Sequence, residues 1–189
     1  MDKYLILVNK NNKMVNDDDY IKVNCNSKYD DSCLMEEETY RQWLLLRKEV
    51  LSKGYIIDCE SCYRSSEHQQ RVWDEVEAEK GLEHTKKYVA VPGYSEHQSG
   101  LAVDFTLYEN DKWFIDHDMK GHPIIDIVKE IAPKYGFIIR YPLGKEDITG
   151  YGWEPWHLRY VGNSEIAQYI MDNNICLEEY LELENKKSI

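Results

Sequence analysis

The sequence predicts an α+β fold, a single domain in which a small, mainly antiparallel central sheet is flanked by helices. Helical periodicity recurs along the chain, and short apolar runs bounded by turn residues, typical of strands, lie between the helical segments. The 189 residues are enough to bury a full core. Because no repeat, linker or low-complexity tract interrupts them, we expect one domain over residues 1–189.

The N-terminal part predicts a polar arm, residues 1–32, followed by the first helix. Residues 4–8 can form a short edge strand, and the rest of the arm is rich in Asn, Asp and Lys. Residues 36–52 begin with acidic residues and Gly54 follows as a stop, so a helix is predicted there. Its expected apolar face consists of Tyr40, Trp43, Leu44, Leu46 and Val50.

A strand and a second helix are predicted next. Residues 55–59 form an apolar run that is typical of a strand. Ser66, with Gln69 three residues later, forms a capping-box pattern, which predicts a helix that ends at Gly81. The helix is expected to turn inward Val72, Trp73 and Val76. Residues 82–94 contain a Pro-Gly pair and are predicted to form a loop.

The C-terminal half predicts three more strands and three more helices. The strands are expected at residues 101–105, 137–141 and 156–161. The helices are expected from Pro123 through Ile131, from a cap at Asn163 or Ser164 through Met171, and at residues 177–184. Polar connections are expected at residues 109–122 and 142–152.

The charge and the apolar runs exclude several classes of partner. A formal net charge of −12 would repel phosphate, so neither nucleic acid nor an anionic membrane is an expected partner. The apolar run at residues 4–8 is too short for a signal-peptide core, and no other stretch approaches a membrane span. We therefore expect a cytoplasmic protein, and the sequence favours no particular oligomeric state.

The five cysteines are odd in number and spread along the chain, a pattern that favours reduced thiols over a disulfide framework. Cys59 and Cys62 have the CxxC spacing of some redox and metal sites. No second CxxC motif or histidine pair stands near them in the sequence. The prediction is therefore two buried or half-buried thiols without a redox or metal role.

Two stretches of the sequence hold the side chains of a metal site. His97 and Asp104 lie on either side of Gly100, and His157 follows some fifty residues later. Two histidines and one carboxylate can bind a catalytic zinc ion and leave a position open for water. Each of these residue types is ordinary by itself, and we assign no role to His68, His84, His117 and His122.

Glu154, three residues before His157, is the candidate general base. Pro155 keeps it out of a regular helix, and its carboxylate can still face the metal site. In that position it would take a proton from the attacking water and later pass the proton to a leaving amine.

The pattern Ser95-x-His97-x-x-Gly100-x-Ala102-x-Asp104, together with Glu154-Pro-Trp-His157, resembles the zinc D,D-peptidase family. That family includes the VanX dipeptidases and VanY carboxypeptidases, and the likeness is greatest to the bifunctional VanXY proteins of vancomycin resistance. It extends over most of the chain from the first helix onward. The resemblance implies a hedgehog/D-Ala-D-Ala metallopeptidase-like fold and a bacterial source.

The activity implied by the resemblance is hydrolysis of D-Ala-D-Ala and removal of the terminal D-Ala from the peptidoglycan precursor pentapeptide. Glycopeptide antibiotics such as vancomycin bind that terminus. One zinc ion per chain would be held by His97, Asp104 and His157, and Glu154 matches the catalytic base. Arg64, in Tyr-Arg-Ser, matches the arginine that stabilises the oxyanion of the tetrahedral intermediate.

Other residues are matched to the substrate only by position. Gln69 and Ser95 lie where the family holds the C-terminal carboxylate of the substrate, although Gln69 can instead belong to the helix cap. Tyr94 and Trp153 are bulky neighbours of the two motifs, and both core packing and substrate contact are open to them. Cys62 stands where many relatives have glycine.

Two alternative functions use the same metal site. L,D-carboxypeptidases and phage-type endolysins cleave other peptide bonds of the cell wall with it. A non-catalytic zinc-binding module would need only the metal ligands. Glu154 and Arg64 argue against such a module, because a structural site requires neither a base nor an oxyanion donor.

Overall fold

The structure is a computed structural model that describes residues 2–187, so both ends of the predicted 1–189 domain lie outside the described residues. Its strands are β1 (Lys22–Asn24), β2 (Leu34–Glu36), β3 (Ile56–Ser61), β4 (Ala102–Glu109), β5 (Lys112–Phe114), β6 (Phe137–Tyr141) and β7 (Glu154–Tyr160). Its helices are α1 (Glu37–Ser52), α2 (Ser66–Lys80), α3 (Leu82–Tyr88), α4 (Ile124–Ile131), α5 (Glu146–Thr149), α6 (Ser164–Asp172) and α7 (Leu177–Lys187).

The main sheet has five strands, all paired antiparallel, which confirms the predicted α+β architecture. Four strands follow the order β3-β4-β7-β6, β5 pairs with β4, and β1 and β2 form a separate two-stranded sheet. Every residue of β6 and β7 is buried. Helix α1 packs on β3 and α4, and α6 packs on β6. Because helices cover the sheet, side chains on both faces of β6 and β7 are buried, and these include charged residues of β7.

Pairing of β4 with β7 brings the two predicted motifs together. In this register Asp104 lies directly opposite His157, and Ala102 lies opposite Arg159. Directly opposite residues of an antiparallel pair have Cβ atoms about 4.5–5.5 Å apart. Two residues that are distant in the sequence therefore become immediate neighbours in the sheet.

The N-terminal arm differs from its prediction. Residues 4–8 form no strand; instead Lys3–Leu5 is a short 3-10 helix. The physical reason is that Nη2 of Arg159 donates to the carbonyl oxygens of Tyr4 and Ile6, each at 2.9 Å, which occupies acceptors that a neighbouring strand would need. The arm is also more buried than its polar composition suggests. Its members of the core are Val8, Met14, Tyr20 and Cys25.

Three details of the helices are corrected by the structure. The side chain that caps α2 is Ser65, which accepts from the backbone N–H of His68 at 3.2 Å, and not Ser66. The segment predicted as a loop after Gly81 begins with helix α3, because the chain turns at that glycine, at a φ of 82°, and then resumes a helix. Leu44 on α1 is 43% exposed and does not belong to the buried face.

All five cysteines are free and buried, as expected for reduced thiols. Among the helices in residues 2–187, none combines the length and the apolar character that crossing a membrane requires.

Candidate metal centre and active-site cavity

Three side chains converge where β4, β7 and the short 3-10 helix Glu96–Ser99 meet. Oδ2 of Asp104 lies 3.0 Å from Nε2 of His97, and Oδ1 lies 3.0 Å from Nδ1 of His157. One potential ligand atom from each residue lies within 4.8 Å of the other two, and all three residues are buried. The structure therefore brings together the three side chains that the sequence predicted as metal ligands.

Contacts behind the two imidazoles determine which nitrogen faces the centre. Nδ1 of His97 is 2.5 Å from the carbonyl oxygen of Cys62, so Nδ1 carries the proton and Nε2 is left to face Asp104. His157 has the opposite orientation, with Nδ1 toward Asp104 and Nε2 3.6 Å from Oε2 of Glu96. Such outer contacts are those that orient histidines at metal sites.

This donor set fits a divalent metal ion. Oδ1 of Asp104 is buried and makes no hydrogen bond within residues 2–187. Burial alone would raise the pKa of Asp104, but the imidazoles of His97 and His157 outweigh it and hold the pKa well below its usual range. The carboxylate therefore stays ionised, as a metal ligand must. A zinc ion held by these residues supplies Lewis acidity and makes water a usable nucleophile near neutral pH.

A buried ion network lies behind His157. Oε1 of Glu96 accepts from Nε of Arg140 at 2.7 Å and from Nη1 of Arg159 at 2.6 Å. Arg140 also forms a two-pronged pair with Glu178, at 2.9 and 2.7 Å. Burial opposes ionisation of Glu96, but the two guanidinium groups hold its pKa well below the usual range. An ionised carboxylate is thus maintained beside Nε2 of His157.

Glu154 lies next to the metal ligands, as predicted. Its Oε2 is 3.9 Å from Nδ1 of His157, and the side chain is buried. Burial raises the pKa of Glu154 to about 8; His157 opposes this shift, and the carboxylate of Asp104 reinforces it. A carboxyl group with a pKa near neutral can both accept a proton and give it back.

Arg64 is fixed at the edge of the metal centre. Its Nη2 lies 3.9 Å from Oδ2 of Asp104 and donates to Oγ of Ser61 at 2.6 Å. Its Nη1 donates to Oε1 of Gln69 at 3.1 Å, and the Gln69 amide nitrogen donates to the carbonyl of Ala90 at 2.8 Å. Gln69 therefore holds the guanidinium in place and does not cap α2. A fixed guanidinium of this kind can stabilise developing negative charge.

The metal centre opens into a cavity of about 440 Å³, a size that suits a short peptide. The predicted site residues that line it are Arg64, Gln69, Ser95, His97, Asp104, Glu154 and His157. Tyr94 and Trp153 are not among the lining residues, and the Trp153 ring instead lies 5.1 Å from Nζ of Lys120. A contact between these two residues and a substrate stays a prediction.

The cavity wall also contains residues that the sequence did not single out. Burial, reinforced by nearby carboxylates, raises the pKa of Glu60 to about 8 and that of Asp116 to about 6. His117, to which no role was assigned, packs edge-on against Trp156 with ring centroids 4.9 Å apart. His68 and His84 line the wall as well. No sequence pattern assigned a role to any of these residues, although Glu60 lies inside the CxxC motif and His68 inside the capping-box segment.

Glu96 was missed for a different reason. It stands between Ser95 and His97 inside the first motif, at a position that carried no assigned role. Only the fold shows that its carboxylate meets two arginines from β6 and β7. The available signal in the sequence was an acidic residue next to a predicted metal ligand. If such a residue is buried, it requires a charged partner.

A metal site of this type, with a buried carboxyl group and a fixed guanidinium around a peptide-sized cavity, is characteristic of a metallopeptidase. The sequence profile of the family described as VanY, D-alanyl-D-alanine carboxypeptidase, matches residues 32–163. The chain belongs to this family.

Individual relatives agree with this assignment. The bifunctional D-Ala-D-Ala dipeptidase and D-Ala-D-Ala carboxypeptidase VanXYC of Enterococcus gallinarum is 40% identical over 154 residues, which cover 80% of this chain and 79% of the relative. Other curated relatives are longer, and the chain spans only 47%, 47% and 48% of their lengths.

Two solved structures share the fold over nearly the whole chain. The vancomycin resistance D,D-dipeptidase VanXYg, in complex with a D-Ala-D-Ala phosphinate analogue, has a TM-score of 0.85 and 37% identity, covering 95% of this chain and 70% of that one. A mutant of the D,D-pentapeptidase VanY from the VanB-type resistance cassette, in complex with Zn(II), has a TM-score of 0.82 and 34% identity, covering 94% and 98%. The predicted resemblance to VanX- and VanY-type peptidases is confirmed.

Proposed function

We propose that this chain is a zinc D,D-peptidase that hydrolyses D-Ala-D-Ala and removes the terminal D-Ala from the peptidoglycan precursor pentapeptide. The observation that carries the proposal is the placement of Asp104 opposite His157, with His97 and Glu154 beside them, in a peptide-sized cavity. The D-Ala-D-Ala activities named for VanXYC and the analogue bound to VanXYg support the choice of substrate. One catalytic zinc ion per chain, held by the two histidines and the aspartate, is part of the proposal.

In this mechanism Glu154 and Arg64 perform the proton transfer and the charge stabilisation. Glu154 accepts a proton from water as the water oxygen forms a bond to the scissile carbonyl carbon. Arg64 stabilises the negative charge that develops on the carbonyl oxygen. When the C–N bond breaks, Glu154 returns the proton to the amine of the departing D-Ala. Burial, which raises the pKa of Glu154, makes its ionised carboxylate a stronger proton acceptor.

Substrate contacts are assigned by their place in the cavity. Ser95 is buried at the cavity wall, and its hydroxyl is proposed to donate to the C-terminal carboxylate of the substrate. Both ends of the Gln69 amide are occupied, by Arg64 and by the carbonyl of Ala90. Gln69 is therefore proposed to position Arg64, and only secondarily to meet the substrate.

Removal of the terminal D-Ala would also remove the group that glycopeptide antibiotics bind. The proposed activity would therefore confer vancomycin resistance on a bacterium that contains this protein. Five free, buried thiols fit a reducing compartment, and we propose that the enzyme acts on soluble precursors in the cytoplasm.

The test is release of D-Ala from D-Ala-D-Ala and, separately, from the soluble precursor pentapeptide, by the zinc-loaded protein. Cleavage of both substrates is expected. Glu154→Ala should abolish release while the zinc content stays unchanged, because Glu154 moves the proton and does not hold the metal. Glu79→Ala, at an exposed position on α2, is the matched control and should keep full activity.

Other substrates distinguish the alternatives. A tetrapeptide ending in an L,D bond, if cleaved in place of the D,D substrates, would identify an L,D-carboxypeptidase. Solubilisation of intact sacculi would identify a wall endolysin. Undiminished turnover by Glu154→Ala would refute the mechanism.

A further inference from the structure

Three buried cysteines meet in the core behind the active site, and a fourth lies beside them. The sulfur atoms of Cys25, Cys59 and Cys62 lie within 4.8 Å of one another, and each residue is at most 1% exposed. The Cys33 thiol contacts that of Cys62. The remaining cysteine, Cys176, lies elsewhere, where its thiol donates to Glu179.

A β-bulge places the CxxC pair on one side of β3. Side chains three positions apart in a regular strand point to opposite faces. The register of β3 against β4 shifts between Cys59 and Ser61, which inserts one extra residue into β3. Because a bulge of this kind reverses the alternation, the thiols of Cys59 and Cys62 can face the same point.

The other two cysteines come from the hairpin formed by β1 and β2. The backbone N–H of Cys25 donates to the carbonyl of Cys33 at 2.9 Å, which holds the two residues side by side. The loop between them is attached to β3: Oγ of Ser27 donates to the carbonyl of Cys59 at 2.7 Å, and the N–H of Lys28 donates to Asp58 at 2.9 Å. The fold thus carries the hairpin cysteines to the CxxC pair.

We propose that these cysteines bind a second, structural zinc ion, with Cys25, Cys59 and Cys62 as three ligands and Cys33 as the fourth. Zinc–sulfur bonds of about 2.3 Å in a tetrahedron place the sulfur atoms about 3.8 Å apart, a spacing compatible with three sulfur atoms that lie within 4.8 Å of one another. The Cys33 thiol now donates to the carbonyl of Glu60 at 3.4 Å and would turn from it to the metal. The thiols release their protons to solvent as the ion binds.

A metal ion would give the hairpin an anchor that its own sequence lacks. Residues 26–32 are almost entirely polar and contain no regular secondary structure, so burial of apolar side chains contributes little there. Three clustered thiols, with that of Cys33 turned toward them, would form the closed ligand set of a structural zinc site. Under this proposal the partners that the CxxC motif lacks in its own segment are Cys25 and Cys33, which the β1–β2 hairpin brings to it.

The cysteine cluster is also connected to the catalytic residues through the backbone. The carbonyl of Cys62 accepts from Nδ1 of His97, and the N–H of Arg64 donates to the carbonyl of His97 at 3.1 Å. The N–H of Tyr63 donates to the carbonyl of Leu34 on β2 at 2.7 Å. A metal ion that fixes Cys62 would therefore position the peptide segment that orients His97 and Arg64.

The test counts zinc in the full chain, purified under reducing conditions with zinc present, by elemental mass spectrometry. We expect two zinc ions per chain in the wild type. His157→Ala should retain one ion, held by the cysteines, and Cys59→Ser should retain one, held by the catalytic ligands. Cys176→Ser is the matched control, a buried thiol outside the cluster, and should retain two.

A second measurement needs no variant. Cobalt-substituted wild-type protein should show the intense near-ultraviolet absorption of thiolate-to-cobalt charge transfer. This absorption tests for metal binding by the cysteines even if Cys59→Ser does not fold. The proposal is overturned by one zinc ion in the wild type and none in His157→Ala, by the absence of the thiolate band, or by a disulfide within the cluster. Two zinc ions without D-Ala release would refute the proposed function and leave the cysteine site intact.

Discussion

Replacement of Glu96 by glutamine tests the buried ion network behind His157. Glutamine has the same shape but no charge, so within residues 2–187 Arg159 would lose its ionised partner and keep only neutral acceptors, while Arg140 would keep the carboxylate of Glu178. The side chains of Glu96 and both arginines are 0% exposed, so solvent does not screen the loss. Breaking a buried ion pair costs about 3–5 kcal/mol, a large share of the roughly 5–15 kcal/mol that stabilises a domain.

The pH at which this prediction is tested follows from the sign of the pKa shift. The guanidinium groups outweigh burial and lower the pKa of Glu96 in the folded protein. Its contribution is therefore complete above the ordinary glutamate pKa of about 4.3 and is lost as the pH falls through the lowered value. At neutral pH the whole effect of Glu96→Gln should be visible. The loss corresponds to a fall in Tm of roughly 6–20 °C for a chain of this size.

The assay is urea unfolding at neutral pH, followed by tryptophan fluorescence, with Glu83→Gln as the control. Glu83 forms an exposed i,i+3 pair with Lys86 at 3.2 Å, and its loss should leave the free energy of unfolding almost unchanged. If Glu96→Gln is no more destabilising than the control, the network does not stabilise the fold and the reasoning is wrong.

Three further outcomes are expected. Arg64→Lys keeps the charge but loses the planar group that Ser61 and Gln69 hold. The kcat for D-Ala release should therefore fall about 100- to 1,000-fold, with the zinc content unchanged. An unaltered kcat would exclude Arg64 from charge stabilisation. Arg140 outweighs burial and lowers the pKa of Glu178. The difference in unfolding free energy between the wild type and Glu178→Gln should therefore shrink as the pH falls through that lowered pKa, and urea unfolding across an acidic pH series measures this difference. A constant difference would contradict the lowered pKa of Glu178. Removal of metal with a chelator should abolish D-Ala release and lower the Tm measured by calorimetry. The Tm falls because an ion that binds only the folded chain stabilises it. An unchanged Tm would argue against a metal ion at either site.

Local patterns in the sequence were sufficient for the main elements and for the three candidate metal ligands that the structure brings together. Helix α1 was identified by the acidic residues at its N-terminal end and by Gly54 after its C-terminal end, and Pro123 marked the start of α4. His97, Asp104 and His157 could be singled out as candidate ligands because the same residue types recur at metal sites for chemical reasons. The site could thus be predicted in outline before any strand pairing was known.

The features that the sequence did not reveal depend on competition between neighbours or on contacts between distant segments. Ser65 and Ser66 are equally able to cap a helix, and only the path of the backbone selects Ser65. Cys25 meets the CxxC pair only because the β1–β2 hairpin folds onto β3. Glu96 acquires its role only when β6 and β7 bring Arg140 and Arg159 to it.

The pairing of β4 with β7 separates the position of the candidate metal ligands from the shape of the cavity that receives the substrate. Asp104 and His157 meet through strand register, so the loops between β4 and β7 do not set their separation, although β6 within that chain supplies Arg140 to the network behind His157. That connecting chain nevertheless supplies part of the cavity wall, with Asp116, His117 and Tyr151. Insertions or substitutions in the loops of that segment should therefore change which substrate fits the cavity while the candidate metal ligands stay in place. The loops between β4 and β7 can therefore be exchanged to alter substrate recognition while β4 and β7 keep the candidate metal ligands in place.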